Sequence, residues 1–224
     1  MRSPQEDKHA FTLLELLVVI AIIAILVGLL FPAFKAVQNQ AKQTQAKNDL
    51  TQIVNAVNAF YTEYGKYPLP TGTAVDFIFG PGGTSNSELF YTLRAINAGT
   101  MNLNNAANPR QIVFISPPAV KTPASPRSGI ATQAATPNCL PVGVGDFVDP
   151  WGTPYNVKID GDYNNQIATN PYSDPSPPGP PGGSPLSIGV IAWSLGLDGV
   201  LGTKTGTCTG NNIFTNSDDV ISWQ

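Results

Sequence analysis

The sequence predicts an α+β fold in which one long N-terminal helix, apolar in its first half and amphipathic in its second, packs on a small antiparallel sheet. Three observations lead there. Residues 16–31 read LLVVIAIIAILVGLLF, sixteen apolar residues without a break. Leu50, Ile53, Val54, Val57, Phe60, Tyr61 and Tyr64 then follow the i, i+3, i+4, i+7 template of an amphipathic helix. Beyond Gly65 and Pro68, only short β-rich runs punctuate a chain with 21 Gly and 21 Pro. One dominant helix with few strands is an α+β pattern.

The apolar segment comes first in the chain. Extended back through Phe11, Thr12, Leu13 and Leu14, it holds just over twenty residues, and about twenty suffice to cross a bilayer as a helix. A secretory signal has a shorter apolar core followed by a small-residue cleavage site. No A-x-A site follows here, so residues 11–34 read as a retained transmembrane helix. Glu15 interrupts the run. A carboxylate in such a helix costs about 2.5–3.5 kcal/mol at mid-membrane and less near the interface, so the residue demands a reason. Pro32, four residues after Gly28, predicts a kink, because proline removes a backbone bond and crowds the preceding turn. The amphipathic half follows over residues 35–65. Unbroken from 11 to 64, the helix would be roughly 80 Å long at 1.5 Å per residue. Gly65 and Pro68 stop it.

The head, residues 66–224, is long enough for a modest core. Residues 87–96 predict a short helix capped by Ser85 or Ser87. Residues 111–115, 155–159 and 188–194 read as strands, and 117–127 and 171–185 as loops, the second with ten Pro or Gly in fifteen positions. Asp160-Gly161-Asp162-Tyr163-Asn164 starts like a calcium-binding EF-hand loop. Its sixth position is Asn165 where Gly is required, and its twelfth is Pro171 where Glu is required. An Asp-Gly hairpin turn after the alternating Tyr155, Val157 and Ile159 accounts for it better.

Charge and composition narrow the function classes. The net charge is −3 with a sequence pI near 5.0, which lacks the basic footprint of a nucleic-acid binder; no nucleic-acid partner is expected. The only histidine is His9. Its loss with an N-terminal leader would leave no histidine base or metal ligand, no phosphate loop precedes a helix, and no nucleophile has an identifiable base. The chain therefore does not read as an enzyme. Acidic residues concentrate late: residues 146–224 hold eight, against Lys158 and Lys204. That bias suits a cation site or a solvated face. Cys139 and Cys208 are the only cysteines, and both fall in the head. An even pair outside the cytoplasm favours a structural disulfide. It would close about 70 residues and contribute roughly 4 kcal/mol in the chain-entropy account.

His9-Ala10-Phe11-Thr12-Leu13-Leu14-Glu15 resembles the type IV prepilin signal, in which a glycine usually precedes F-T-L-x-E. The resemblance implies a leader of residues 1–10, cleavage between Ala10 and Phe11 by a prepilin peptidase, N-methylation of Phe11, and Glu15 as the fifth residue of the mature chain. Ala10 stands where glycine is usual, and it is still small. In that family the glutamate neutralises the N-terminal amine of a neighbouring subunit, which answers the cost of burying its charge. Gly65-Lys66-Tyr67-Pro68 is similar to the G-x-Y-P that follows the long helix in many pseudopilins, so the expected fold is pilin-like. Asp149-Pro150-Trp151-Gly152-Thr153-Pro154-Tyr155 resembles the turn and strand of the major pseudopilin of type II secretion systems, an architectural element whose Trp151 would fill the space between helix and sheet.

Ser194-Leu195-Gly196-Leu197-Asp198-Gly199 and Asp219-Val220-Ile221-Ser222-Trp223 resemble two further elements of that pseudopilin, between which the family holds a calcium ion. The resemblance implies Asp198 and Asp219 as side-chain ligands, the Leu195 carbonyl as a third, and Asp218 as a weaker addition. The long segment 200–217, rich in Thr, Gly and Asn, departs from the family, and no backbone ligand is assigned within it. A calcium-free turn with a solvated aspartate pair is the other reading. The function implied is a structural subunit of a type II secretion pseudopilus. Its partners would be further copies in a filament, minor pseudopilins, the prepilin peptidase, an inner-membrane assembly platform, and membrane lipid before assembly. The chain would cross the inner membrane once, with its head in the periplasm. A type IV pilus subunit for adhesion, motility or DNA uptake, at the cell surface, is the alternative; a signal-anchored periplasmic binding protein or enzyme is a third reading.

Overall fold

The structure, a computed structural model, describes residues 13–174 and 185–223, with the side chains of all but residues 29–33. The expectations for Ala10 and Phe11, and for most of the 171–185 loop, therefore lie outside the described residues. The chain divides into two compact units, residues 1–41 and 42–224. It is α+β. Its main helix, α1, runs over Leu13–Tyr64 and is helical through Pro32.

In the first unit, the described large aliphatic side chains of α1 are all exposed, from Leu13 at 87% to Val27 at 44%. Among the described residues no helix is long and apolar enough to cross a membrane. The segment expected to do so, 11–34, includes residues 11 and 12 and the side chains of 29–33, which lie outside the description.

In the second unit, one face of α1 is sealed. Ala46, Leu50, Ile53, Val57 and Phe60 are buried at spacings of three and four, so they form one stripe on the helix. Glycine ends the helix: Gly65 sits at φ +66, and its N–H donates to the Tyr61 carbonyl at 2.8 Å. A left-handed residue after the last turn satisfies a carbonyl the helix leaves open, and glycine adopts it without a Cβ clash.

The stripe packs on a four-stranded antiparallel sheet of order β1-β4-β5-β8, built from β1 (Phe77–Phe79), β4 (Asn156–Ile159), β5 (Val190–Ser194) and β8 (Val220–Ile221). Two small antiparallel pairs flank it: β2 (Gly129–Ile130) with β3 (Phe147–Val148), and β6 (Lys204–Gly206) with β7 (Thr209–Gly210). Helix α2 (Asn86–Leu93) completes the core through Leu89, Phe90 and Leu93. Its N-cap is Ser85, whose hydroxyl accepts from the Ser87 N–H. The helix stops three residues before the expected end, because Ala95 turns to φ +55.

Three sequence expectations change here. Residues 111–115 are irregular, not a strand. The reason is Asn108, whose amide donates to the Ile112 carbonyl at 2.8 Å and accepts from its N–H at 3.1 Å; a side chain that occupies both backbone groups removes them from a ladder. Asp160-Gly161 does not turn a hairpin, since β4 pairs with β5 some thirty residues on. Instead the Asp160 carboxylate accepts from the Asn165 N–H at 2.7 Å, and Gly161 sits against the Val75 carbonyl, where a Cβ has no room. Trp151 is buried, but the space between helix and sheet is filled by Tyr155, a member of the main apolar cluster. Its hydroxyl donates to Asp49 of α1 at 2.8 Å.

Truncation of Ile53, fully buried at the centre of the stripe, to alanine is expected to cost about 2–5 kcal/mol. Asn55→Ala, on the exposed face, is expected to stay within about 0.5 kcal/mol. Urea unfolding of the detergent-solubilised chain, followed by circular dichroism, compares them.

Candidate functional site

Sheet pairing explains why aspartates twenty residues apart meet. Strands β5 and β8 pair antiparallel with Trp193 opposite Ile221 and Ser194 opposite Val220. The chain leaving β5 and the chain entering β8 therefore emerge side by side. Asp198, Asp218 and Asp219 each bring a carboxylate oxygen within 4.8 Å of the others. The loop is organised by the acids themselves. The Asp218 carboxylate accepts from the Leu197 N–H and, at 3.1 Å, from the Asp198 N–H. Asp198 accepts from the Val200 N–H at 3.0 Å. Gly196 takes φ +63, and a Cβ there would strike the Asp218 backbone, so this turn requires glycine.

Asp219 is the buried member, 7% exposed. Its Oδ2 accepts from the Tyr172 hydroxyl at 2.8 Å and the Gly202 N–H at 2.6 Å. Its Oδ1 is buried with no hydrogen-bond partner. Burial, aided by the nearby charges of Asp218 and Asp198, pushes the carboxyl up to about 7. Burial likewise raises Asp198, with the Asp218 charge adding to it. A set of three carboxylates, one of them with an orphaned buried oxygen, suits a hard cation that takes oxygen ligands. Leu195 buries its side chain among Trp193 and Ile221, so only its backbone is left to face a cation.

Beneath this loop lies a carboxylate the sequence reading overlooked. Asp149 is completely buried. Its Oδ1 accepts from the N–H groups of Trp151, Gly152 and Thr153 at 2.8–2.9 Å, and its Oδ2 accepts from the Ser194 hydroxyl at 2.6 Å. Burial raises it to about 6, while the Ser194 hydroxyl and the three backbone donors pull it down. Ser194 Oγ in turn accepts from the Gly196 N–H at 3.1 Å. The motif around Trp151 is thus wired to the start of the aspartate loop. Tyr172 was overlooked as well; an aromatic residue inside a Pro/Gly/Ser-rich stretch was the available signal.

Cys139 and Cys208 form a disulfide, with Cα atoms 5.2 Å apart and a separation of 69 positions in sequence. Cys208 sits in the turn joining β6 to β7 at φ +58, so the bond tethers that hairpin to the segment beside Asn138, whose amide donates to the Trp151 carbonyl at 3.2 Å. At the other end of the chain, Glu15 lies in the first turn of α1, surrounded in sequence by exposed leucines.

Residues 7–31 match the family model described as the prokaryotic N-terminal methylation motif. Glu15 lies inside the matched stretch, and the match is consistent with a type IV pilin-like prepilin signal. Neither the curated proteins nor the solved structures returned a match to the chain.

Asp149→Ala would leave three backbone donors without their acceptor. The expected loss is about 3 kcal/mol or more, with Asp149→Asn far milder because its amide oxygen still accepts from them. The folded chain binds the Asp149 proton more tightly than the unfolded chain, whose carboxyl titrates near 3.8. This group's contribution to stability is therefore full below pH 3.8, falls as pH rises through about 6, and levels above that. Urea titrations between pH 4 and 8 are expected to show that slope in the difference between wild type and Asp149→Asn.

Proposed function

We propose that this chain is the structural subunit of a type II secretion pseudopilus, assembled as a helical filament after a prepilin peptidase cuts between Ala10 and Phe11 and Phe11 is N-methylated. One observation carries the reading. Within the matched methylation motif, every large aliphatic side chain described from Leu13 to Val27 is at least 44% exposed. A surface of that size and kind marks a site of contact with lipid or protein. Inner-membrane lipid covers it before assembly, and the same segments of neighbouring copies cover it in the filament. Glu15 then meets the amine of a neighbour's Phe11, which offsets the cost of an ion in apolar surroundings. The head faces the periplasm, an oxidising compartment that suits a disulfide.

The choice of pseudopilus over surface pilus rests on the C-terminal loop. Calcium there would be held by Asp198, Asp218 and Asp219 with the Leu195 carbonyl, and would supply the positive charge that lets Asp219 stay ionised while buried. Minor pseudopilins, the peptidase and the inner-membrane assembly platform are the partners this role requires. No step of it calls for catalysis by this chain.

Mass analysis of the protein from its native cells is expected to show a chain beginning at N-methylated Phe11; retention of Met1 would favour a signal-anchored periplasmic protein instead. Mechanical shearing of unperturbed cells is expected to leave the protein with the washed membranes. Abundant protein in the sheared filaments would make it a surface pilin. Glu15→Ala is expected to abolish filament formation, read by cross-linking in intact cells, without lowering the amount of membrane-associated subunit. Wild-type assembly by that variant would remove the amine-pairing role.

A further inference from the structure

A second carboxylate cluster lies at the β1–β4 end of the sheet, away from the C-terminal loop. Asp76 immediately precedes β1 and Asp160 immediately follows β4. These strands pair antiparallel with Phe77 opposite Ile159; one further step of that register sets Asp76 opposite Asp160. Like charges directly opposed across a ladder are destabilising. Asp162 adds a third, and the three residues bring carboxylate oxygens within 4.8 Å of one another.

Asp160 is the telling member. It is 1% exposed. Its Oδ2 accepts from the Asn165 N–H, while its Oδ1 is buried with no hydrogen-bond partner. A buried carboxylate oxygen without a donor is costly, and here the residue also belongs to a cluster of like charge. Lys158, on the same face of β4 as Asp160, relieves part of this. Its ammonium lies 3.6 Å from Asp76 but donates to the Thr169 carbonyl and hydroxyl at 2.9 and 2.7 Å. Three carboxylates less one ammonium leave a local charge of −2, which one divalent ion balances.

We infer that Asp76, Asp160 and Asp162 form a second binding site for a hard divalent cation, of the calcium class, at the edge of the sheet. The donors are all oxygen, without His or Cys, which selects calcium-like ions over zinc or copper. The site is not an EF-hand, because its ligands come from the ends of two paired strands instead of one twelve-residue loop. Its structural effect follows from what the acids hold. Asp76 also accepts from the Ala168 N–H at 2.7 Å, so an ion pins the start of the edge strand β1, the end of β4 and the loop to residue 168 in one place.

The test is calcium titration of the full-length, detergent-solubilised chain after chelator treatment, by calorimetry, with hydrogen exchange read at β1. Asp219→Asn, which disables the C-terminal loop, is expected to retain a calcium event that also raises protection at Phe77–Phe79. Asp162→Asn, at an exposed position and thus tolerated by the fold, is expected to weaken that event about tenfold or more, because affinity follows the number of charged ligands. Asp76→Asn is expected to do the same. The inference is overturned if Asp219→Asn binds no calcium, or if Asp162→Asn binds and protects β1 as wild type does; Asp160 and Asp162 then share a proton instead. A single event in wild type, removed by Asp162→Asn and untouched by Asp219→Asn, supports this site and counts against calcium in the C-terminal loop.

Discussion

A carboxylate sealed completely from water is stable only where donors surround it, and Asp149 has four, three from the backbone of its own turn and one from Ser194. The turn leads from β3 into β4, and Ser194 is the last residue of β5. One side chain therefore fixes how the chain enters the central strand and where its neighbour ends. Ser194 passes the constraint on, because its oxygen also receives the Gly196 N–H. Gly196 then lies against Asp218, and Asp218 holds the amides of Leu197 and Asp198. The acidic loop is built on the buried acid beneath it. Four donors offset much of the desolvation of Asp149 but leave its carboxyl near 6, so burial wins the balance.

How much of this was legible depended on whether the signal was local. The amphipathic stripe could be read because a helix repeats every 3.6 residues, so the apolar positions Leu50, Ile53, Val57 and Phe60 declare their common face in one dimension. The Ser85 cap, the Gly65 stop and the strands at 156–159 and 190–194 carried equally local signals. Residues 111–115 failed for the opposite reason. Gln-Ile-Val-Phe-Ile has strand-forming side chains, yet Asn108, three residues upstream and itself tied to Tyr64 of α1 at 2.6 Å, takes the backbone groups a ladder needs. At the candidate site, Asp198, Asp218 and Asp219 were named from motif resemblance. Asp149 was missed as a functional group because nothing in a D-P-W-G turn announces that its carboxylate will reach a serine 45 residues away.

The two units answer different physical demands. In residues 42–224, apolar side chains on α1, α2 and the sheet close on one another, as a chain folding in water requires. In the described part of residues 1–41, the helix keeps its backbone bonds internal and turns apolar side chains outward in every direction. That arrangement is unfavourable in water and favourable in an apolar medium, where an internally bonded helix is one of the few backbones that can exist.

The late acidic residues can be sorted by what occupies their oxygens. Asp146 accepts from the Ser85 hydroxyl and the Ser87 N–H on one oxygen and from the Gly143 N–H on the other. Asp174 takes the Phe214 N–H on one, and the Thr215 N–H and hydroxyl on the other. Asp149 is likewise used on both sides. These three are fastenings, with each oxygen committed to the chain. Among the described residues, the buried carboxylate oxygens without a partner are Asp160 Oδ1 and Asp219 Oδ1. They do not fall at random: each belongs to one of the two acidic triads. A fold that supplies donors to Asp146, Asp149 and Asp174 through backbone turns is able to do so elsewhere. Withholding them at two oxygens, both inside clusters of like charge, is what a site completed by a cation requires.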